Sequence, residues 1–286
     1  RVLGTDFPAA QVTQVLISLG FSVDLKDSDS MVVVPPYWRT DVRIEEDIVE
    51  EVARTIGYDS IPDQPLSGAI PEVISQPIPQ LREEIRDLLV ASGLQETLSH
   101  TLVSQERVAL AGPLSSEPLR AANPMSHEQE YLRPSIRPSL LASVSAAVRQ
   151  PPGIVALFEI GKVFVARHRD LPEEREIAVG ALSGPRGSSL WEKGAQPLSF
   201  FDAKGIVERI LTRVGVEATF ERDTDPMLRD GHVASIVVSG ERLGTLGELH
   251  PRAIAAFDLP QEPVVLFELD LGKIASLVPE IRWRFA

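Results

Sequence analysis

Four acidic residues in the first part of the sequence have the spacing of a cation site: Asp41, Asp47, Glu50 and Glu51. On a helix, at about 100° per residue, the last three share one face, and the apolar residues between them lie on the other. Carboxylates three and four positions apart repel one another, and Mg²⁺ prefers oxygen ligands of this kind. The spacing therefore predicts an outward-facing acidic surface that suits a hard cation.

The same spacing has a simpler explanation in ion pairs at the protein surface. Arg54 lies on the same helix face, four residues after Glu50 and three after Glu51, and could neutralise both. Asp41 could serve only as the N-cap of the helix. From spacing alone, an ion-paired surface is favoured over a metal site.

Composition restricts the classes of function. The 286 residues contain 28 Lys and Arg against 41 Asp and Glu, a net charge of −13, and no cysteine. Because affinity for phosphate comes mostly from cationic contacts, an autonomous nucleic-acid binder is disfavoured. The absence of thiols excludes a disulfide scaffold and Cys-ligated metals. Since no apolar run approaches ~20 residues and no signal peptide is recognisable, we expect a soluble, cytoplasmic protein.

A small first domain positions the acidic residues. Apolar residues at helical spacing follow Pro8 and end at Gly20, and two short apolar runs around a polar turn then predict a hairpin. The acidic helix is expected from about Ile44 to Ile56. A stretch rich in proline then predicts a linker. We expect a first domain at 1–63, a linker at 64–75 and a second domain at 76–286.

The second domain is predicted to be α+β with an antiparallel sheet. Strand-like runs lie at Glu96–Val103, Val155–Val165, Ile177–Leu182, Ala234–Val238, Gly244–Glu248 and Val264–Leu271. Helical patterns lie at Gln80–Ser92, Ser139–Arg149 and Phe201–Val214. Because strands and helices do not alternate regularly, a parallel βαβ architecture is disfavoured.

The stretch Val33–Pro62 resembles the B5 domain of bacterial phenylalanyl-tRNA synthetase β subunits. The shared pattern is Pro-x-x-Arg-x-Asp, then Asp-(Leu/Ile)-x-Glu-Glu-Val-Ala-Arg, then Gly-Tyr-(Asp/Glu)-x-Ile-Pro. Three later segments also resemble that family. They are Asn123-Pro with Leu132-Arg-Pro-Ser and Ser139-Leu-Leu, Leu157-Phe-Glu-Ile-Gly-Lys-Val-Phe164, and Gly244-Thr-Leu-Gly-Glu-Leu-His-Pro251. The resemblance thus extends over most of the chain.

The resemblance implies a fold and a function. The fold would be a winged-helix-like B5 domain followed by a class II aminoacyl-tRNA synthetase-like antiparallel sheet with flanking helices. In that family the β subunit joins an α subunit in an (αβ)₂ heterotetramer, which attaches phenylalanine to tRNA(Phe) using ATP. Four acidic positions associated with Mg²⁺, in a site shared with the α subunit, match Asp41, Asp47, Glu50 and Glu51. For these four residues the resemblance favours metal over simple ion pairing.

The resemblance also implies that this segment binds the α subunit and has no catalytic residues. A working class II site uses a Phe-Arg-x-Glu strand and a Gly-x-Gly-x-Gly segment, and neither occurs here. Phosphate chemistry needs cationic groups that neutralise charge in the transition state. We also expect the chain to be an excised piece, without the family's N-terminal tRNA-binding and editing regions and without a C-terminal anticodon-binding domain.

Two other functions stay open at this stage. The acidic residues could serve a free-standing Mg²⁺-dependent phosphoryl hydrolase. The first domain could instead bind nucleic acid as a winged-helix-like module, although Arg39 and Arg43 are few for a cationic stripe.

The remaining candidates have simpler structural explanations. His127, Glu128 and Glu130 are expected at the surface of a loop, and His250-Pro251 at a structural turn. The Gly184–Ser189 segment lacks the Gly-Lys-(Ser/Thr) ending of a phosphate loop. Lys204 and Arg209 are expected to be solvated.

Overall fold

A computed structural model describes residues 2–27, 30–63, 68–70, 76–114, 116–149, 154–168, 170–186, 196–260 and 262–279. The chain divides into two compact units, Arg1–Val73 and Ile74–Ala286. The division falls inside the predicted linker, most of which (64–67 and 71–75) lies outside the described residues. In the described part of the chain, every helix is too short or too polar to cross a membrane.

The first unit is a pair of helices with a hairpin between them. Its elements are α1 (Ala9–Ser18), β1 (Ser22–Leu25), β2 (Met31–Val34) and α2 (Glu45–Ile56), followed by a 3₁₀ turn at Tyr58–Ser60. The two strands pair antiparallel, as the sequence predicts. Leu16, Phe21, Val42 and Val52 form the buried core. Both helices end at glycines with positive φ, Gly20 and Gly57, which confirms those predicted ends.

The second unit is built on a mixed seven-stranded sheet. Its strands are β3 (Gln95–Glu96), β6 (Val155–Val165), β7 (Glu173–Ser183), β8 (Thr219–Arg222), β9 (Leu228–Val238), β10 (Glu241–Leu249) and β11 (Val264–Asp270). A separate two-stranded ladder joins β4 (Leu102–Val103) to β5 (Tyr131–Leu132). The large sheet has the order β3-β6-β7-β11-β10-β9-β8.

The α+β class is confirmed, but the sheet is not wholly antiparallel. The outermost pair, β3 and β6, runs parallel, and every other neighbouring pair is antiparallel. A parallel pair needs a crossover of a dozen or more residues. The long connection from β3 to β6 provides one, because it contains the small ladder and two helices.

Helices cover both faces of this sheet. They are α3 (Pro77–Ala91), α4 (Gln105–Ala109), α5 (Arg137–Val148), α6 (Phe200–Val214), α7 (Pro251–Ala256) and α8 (Leu271–Leu277). One core packs α3, α6 and α8 on the sheet, and the other packs α5 and α7. Neighbouring residues of β6 enter different cores: Phe158 the first and Leu157 the second. A strand buried on both faces reads as a continuous apolar run, which is why β6 was predicted with its observed bounds.

The single strand predicted at Glu96–Val103 is wrong. Its two ends belong to different sheets, because the chain leaves the large sheet after β3. Both the amide and the hydroxyl of Thr97 donate to the Phe158 carbonyl, at 2.7 and 3.2 Å. Ser99 donates to the Glu159 carboxylate at 2.7 Å. After the Thr97 amide, the side-chain bonds of Thr97 and Ser99 replace a regular ladder as the backbone turns toward β4.

Candidate functional site

The start of α2 is fixed by Asp47. One oxygen of its carboxylate accepts hydrogen bonds from the backbone amides of Arg43 at 2.7 Å and Ile44 at 3.0 Å. These bonds satisfy donors that a helix N-terminus leaves without partners, and they hold the pKa of Asp47 below its usual range. The N-cap residue is Ile44, so the alternative assignment of Asp41 as the cap is wrong.

Asp41 and Glu51 are brought together by Arg39. Its guanidinium donates to both oxygens of Asp41, with the shortest distance 2.6 Å, and to one oxygen of Glu51 at 2.8 Å. Arg54 donates to the other oxygen of Glu51 at 2.6 Å. We call these four residues the arginine clamp. It holds two guanidinium groups against two carboxylates.

Burial in the clamp differs from the sequence prediction. Glu51 is only 8% exposed, so the three helix carboxylates are not presented outward together. Glu51 lies at the border of the apolar face, and its carboxylate is in contact with Arg39, whose side chain is itself mostly buried. Bonds from Arg39 and then Arg54 lower the pKa of Glu51, and bonds from Arg39 lower that of Asp41. The same two carboxylates raise the pKa of Arg39.

Glu50 stands apart from the clamp. It is exposed, and no hydrogen bond or ion pair links its side chain to another residue within the described part of the chain. Across those same residues, no group of three or more His, Asp or Glu side chains is arranged to hold a metal ion. Carboxylate oxygens are suitable ligands for Mg²⁺, but this arrangement does not fit the ion. Guanidinium groups already occupy Asp41 and Glu51.

The second unit contains an ion pair that sequence reasoning missed. Arg133 donates to Glu159 at 2.5 Å, to Ser99 at 2.9 Å and to the Lys162 carbonyl at 2.8 Å. Arg133 is 4% exposed and Glu159 1%. A Cβ atom added at Gly161 would lie 2.3 Å from the Arg133 guanidinium. The available signal was the acid Glu159 within the otherwise apolar run Val155–Ile160, since buried charges are almost always paired.

A polar cavity of about 410 Å³ lies against the sheet of the second unit. Four cationic side chains line it: Arg137, Arg175, Arg242 and Lys273. Each has a carboxylate partner in the same chain. Arg137 pairs with Asp225 and Glu268, Arg175 with Glu173, Arg242 with Asp223 and Lys273 with Glu241. The cavity is therefore internally compensated in charge, a property that the sequence did not reveal.

The minor candidates are distributed as follows. His127 is exposed and contacts Glu130 at 2.7 Å, but Glu130 is buried against Arg120, so its prediction as a surface residue is wrong. His250 is the N-cap of α7 and accepts from the Arg252 amide at 3.0 Å, which makes it structural as expected. Lys204 is half-buried over the Phe220 ring rather than fully solvated.

Arg209 and the Gly184–Ser189 segment complete the set of minor candidates. Arg209 on α6 is exposed, as expected. Half of the Gly184–Ser189 segment (187–189) lies outside the described residues, since the structure describes it only to Arg186.

Two family models match the sequence of this chain. The family model described as tRNA synthetase B5 domain matches residues 1–58. The model described as phenylalanyl tRNA synthetase beta chain CLM domain matches residues 61–271. The chain belongs to the phenylalanyl-tRNA synthetase β-chain family. Both pairs of motif residues noted above, Arg39 with Asp41 and Arg133 with Glu159, lie inside the matched ranges.

Individual members of the phenylalanyl-tRNA synthetase β-chain family are also similar to this chain in sequence. A phenylalanine–tRNA ligase β subunit of Dehalococcoides mccartyi is 36% identical over 249 residues, 87% of this chain and 31% of the relative. One of Bacillus licheniformis is 34% identical, over 99% of this chain and 35% of the relative. The chain thus spans about a third of the length of these relatives.

A solved structure shows the likeness of fold. Pyrrolysyl-tRNA synthetase from Desulfitobacterium hafniense superposes with a TM-score of 0.56 at 15% identity, covering 70% of this chain and 68% of that one. At this identity the likeness concerns the fold alone.

Proposed function

We propose that this chain is the B5 and CLM portion of the β subunit of phenylalanine–tRNA ligase. With an α subunit in an (αβ)₂ heterotetramer, that cytoplasmic enzyme would attach phenylalanine to tRNA(Phe) using ATP. The observation that carries the proposal is the pair of family matches, B5 then CLM, which together span residues 1–58 and 61–271. The role proposed for this portion is to bind the α subunit and support its active site.

The finer description of the fold belongs to the same proposal. We assign the first unit to a winged-helix-like arrangement and the second to the class II synthetase type. The hairpin between two helices supports the former. A predominantly antiparallel sheet with helices on both faces, together with the structural likeness to a tRNA synthetase, supports the latter.

The charged cavity supports a non-catalytic role. Activation of an amino acid by ATP requires cationic groups free to neutralise the phosphates. In this cavity Arg137 is held by two carboxylates, and the other three cationic side chains each have an acidic partner. An incoming triphosphate would have to displace these partners. We therefore propose that the chain alone does not activate phenylalanine.

Assembly with the α subunit tests this function directly. The chain should co-elute with the matching α subunit in size-exclusion chromatography with light scattering, with a mass above that of either component. ATP–pyrophosphate exchange should stay at background for the chain alone. Absence of any complex with a correctly folded α subunit would contradict the proposal, and exchange activity in the chain alone would contradict its non-catalytic role.

The proposed function also includes a metal cofactor of the complete ligase. We propose that the complete ligase uses Mg²⁺. The family resemblance indicates Asp41, Asp47, Glu50 and Glu51 for this ion, but in this chain arginines hold Asp41 and Glu51. Carboxylate oxygens support the use of this ion. Within the described part of the chain, however, arginines pair with Asp41 and Glu51, backbone amides bond one oxygen of Asp47, and only the Glu50 carboxylate has no partner. A free-standing hydrolase is not favoured, because such a site needs carboxylates that bind metal, and arginines pair with Asp41 and Glu51. A nucleic-acid-binding module is not favoured either, because Arg39, one of its two candidate cations, is neutralised.

A further inference from the structure

The acidic residues are of the type that binds Mg²⁺, but their arrangement does not fit this ion. This mismatch suggests that another cation neutralises them. We propose that Arg39 is the built-in cation of this surface and that its position keeps divalent metal away from Asp41 and Glu51. The inference rests on the proposed function for the expectation of a cation at this surface, and it replaces magnesium by Arg39 at Asp41 and Glu51. Its test uses metal ions and this chain without the α subunit, so failure of assembly and failure of the inference are distinguishable.

Arg39 and a metal would compete for the same oxygen atoms. One terminal nitrogen of Arg39 lies 2.6 Å from Asp41 and 2.8 Å from Glu51, so it bridges the two carboxylates. Mg²⁺ would need its ligand oxygens at about 2.0–2.1 Å in near-ideal octahedral geometry. An ion at that distance from both carboxylates would occupy the volume of the guanidinium. The two cations are therefore mutually exclusive.

Charge leads to the same conclusion. The clamp contains two arginines and two carboxylates, so it is neutral as it stands. A divalent ion added while Arg39 remained would face a guanidinium at close range in a half-buried site, where like charges repel more strongly than in water. Arg54 adds to this repulsion, because it bonds the remaining oxygen of Glu51.

Arg39 is held in place by the local fold as well as by the acids. Its backbone amide donates to the Pro36 carbonyl at 2.9 Å, which closes a turn after two consecutive prolines. Its guanidinium also lies 5.7 Å from the centre of the buried Phe21 ring, within the range of a cation–π contact. These contacts place the guanidinium in advance, so the clamp forms at little entropic cost.

Metal binding by the full 286-residue chain tests the inference. Mn²⁺ is the probe, measured by calorimetry and by the loss of free-ion signal in electron paramagnetic resonance, with Mg²⁺ as competitor. We expect Arg39→Met to bind Mn²⁺ tighter than wild type by about tenfold or more, the usual scale for a change beside metal ligands. Adding Glu51→Gln to Arg39→Met should abolish the gain. Equal affinity in wild type and Arg39→Met would overturn the proposal.

Two variants control for charge and folding. Arg43→Met removes a nearby arginine whose side chain donates to the Thr40 carbonyl rather than to the clamp. The affinity of this variant for Mn²⁺ should therefore match that of the wild type. Arg39→Lys keeps the positive charge and should show no gain. If Arg39→Met does not fold, wild type is compared with Glu51→Gln. Equal Mn²⁺ binding supports the proposal, and weaker binding in Glu51→Gln overturns it.

Discussion

Two of the arginine–glutamate contacts, Arg39–Glu51 in the first unit and Arg133–Glu159 in the second, differ mainly in their access to water. In the first unit Arg39 and Glu51 meet at the edge of a helix, beside the exposed Glu50. In the second, Arg133 and Glu159 are almost completely buried, and Ser99 and a backbone carbonyl complete their hydrogen bonds. Removing one partner of a buried pair leaves a charge without compensation, whereas water partly compensates a surface charge. The buried pair therefore maintains the fold, whereas water and dissolved ions can reach the clamp.

The largest effect is expected from breaking the buried pair. Glu159→Gln should lower the free energy of unfolding of the second unit by about 3 kcal/mol, because Arg133 stays buried without an ionic partner. Urea denaturation followed by circular dichroism measures the change. The control is Glu174→Gln, which removes the exposed partner of Lys162 and should cost less than about 1 kcal/mol. Similar losses of stability in the two variants would show that the buried ion pair stabilises the fold no more than the exposed one.

A smaller effect is expected from crowding the same pair. Gly161→Ala would place a methyl group 2.3 Å from the Arg133 guanidinium, which cannot move freely because three acceptors hold it. Overpacking of this kind costs about 1–3 kcal/mol. The matched control is Gly205→Ala in α6, where nothing lies within 4 Å of the new atom and helix propensity favours alanine by up to about 1 kcal/mol. A Gly161→Ala variant as stable as wild type would show that Arg133 is not fixed.

Sequence reasoning succeeded where the signal is local and failed where it depends on tertiary contacts. The acidic helix, the hairpin and β6 follow from periodicity and end signals, and they were predicted close to their observed bounds. The short elements α4, α7, α8, β5 and β8 were not predicted. Their four to seven residues, or two in β5, carry too little periodicity to stand out from loops.

The candidate site shows the same limit. Arg54 was predicted as a partner of Glu51 because a helix brings residues three apart together. Arg39 lies twelve residues before Glu51 and reaches it only after the turn at Pro36 folds back, so spacing did not indicate the contact. Arg133 and Glu159 are separated by 26 positions; Arg133 directly follows β5 and Glu159 lies in β6, and these strands belong to different sheets. Contacts of this range depend on the fold, not on local pattern.

The smallest expected effect is a pH dependence of the stability that the clamp contributes. The pKa of Glu51 is lower in the folded chain than its unfolded value of about 4.3, and that of Asp41 is lowered as well. A depressed pKa contributes stability that is present above the unfolded pKa and is lost as pH falls through the folded pKa. Thermal unfolding of wild type and Glu51→Gln should therefore differ at neutral pH and converge well below pH 4.

High salt should also reduce that difference at neutral pH, because the clamp is partly exposed and ions screen such pairs. The corresponding difference between wild type and Glu159→Gln should change little with salt, since burial protects that pair from screening. If salt narrowed both differences equally, exposure would not be what distinguishes the clamp from the buried pair.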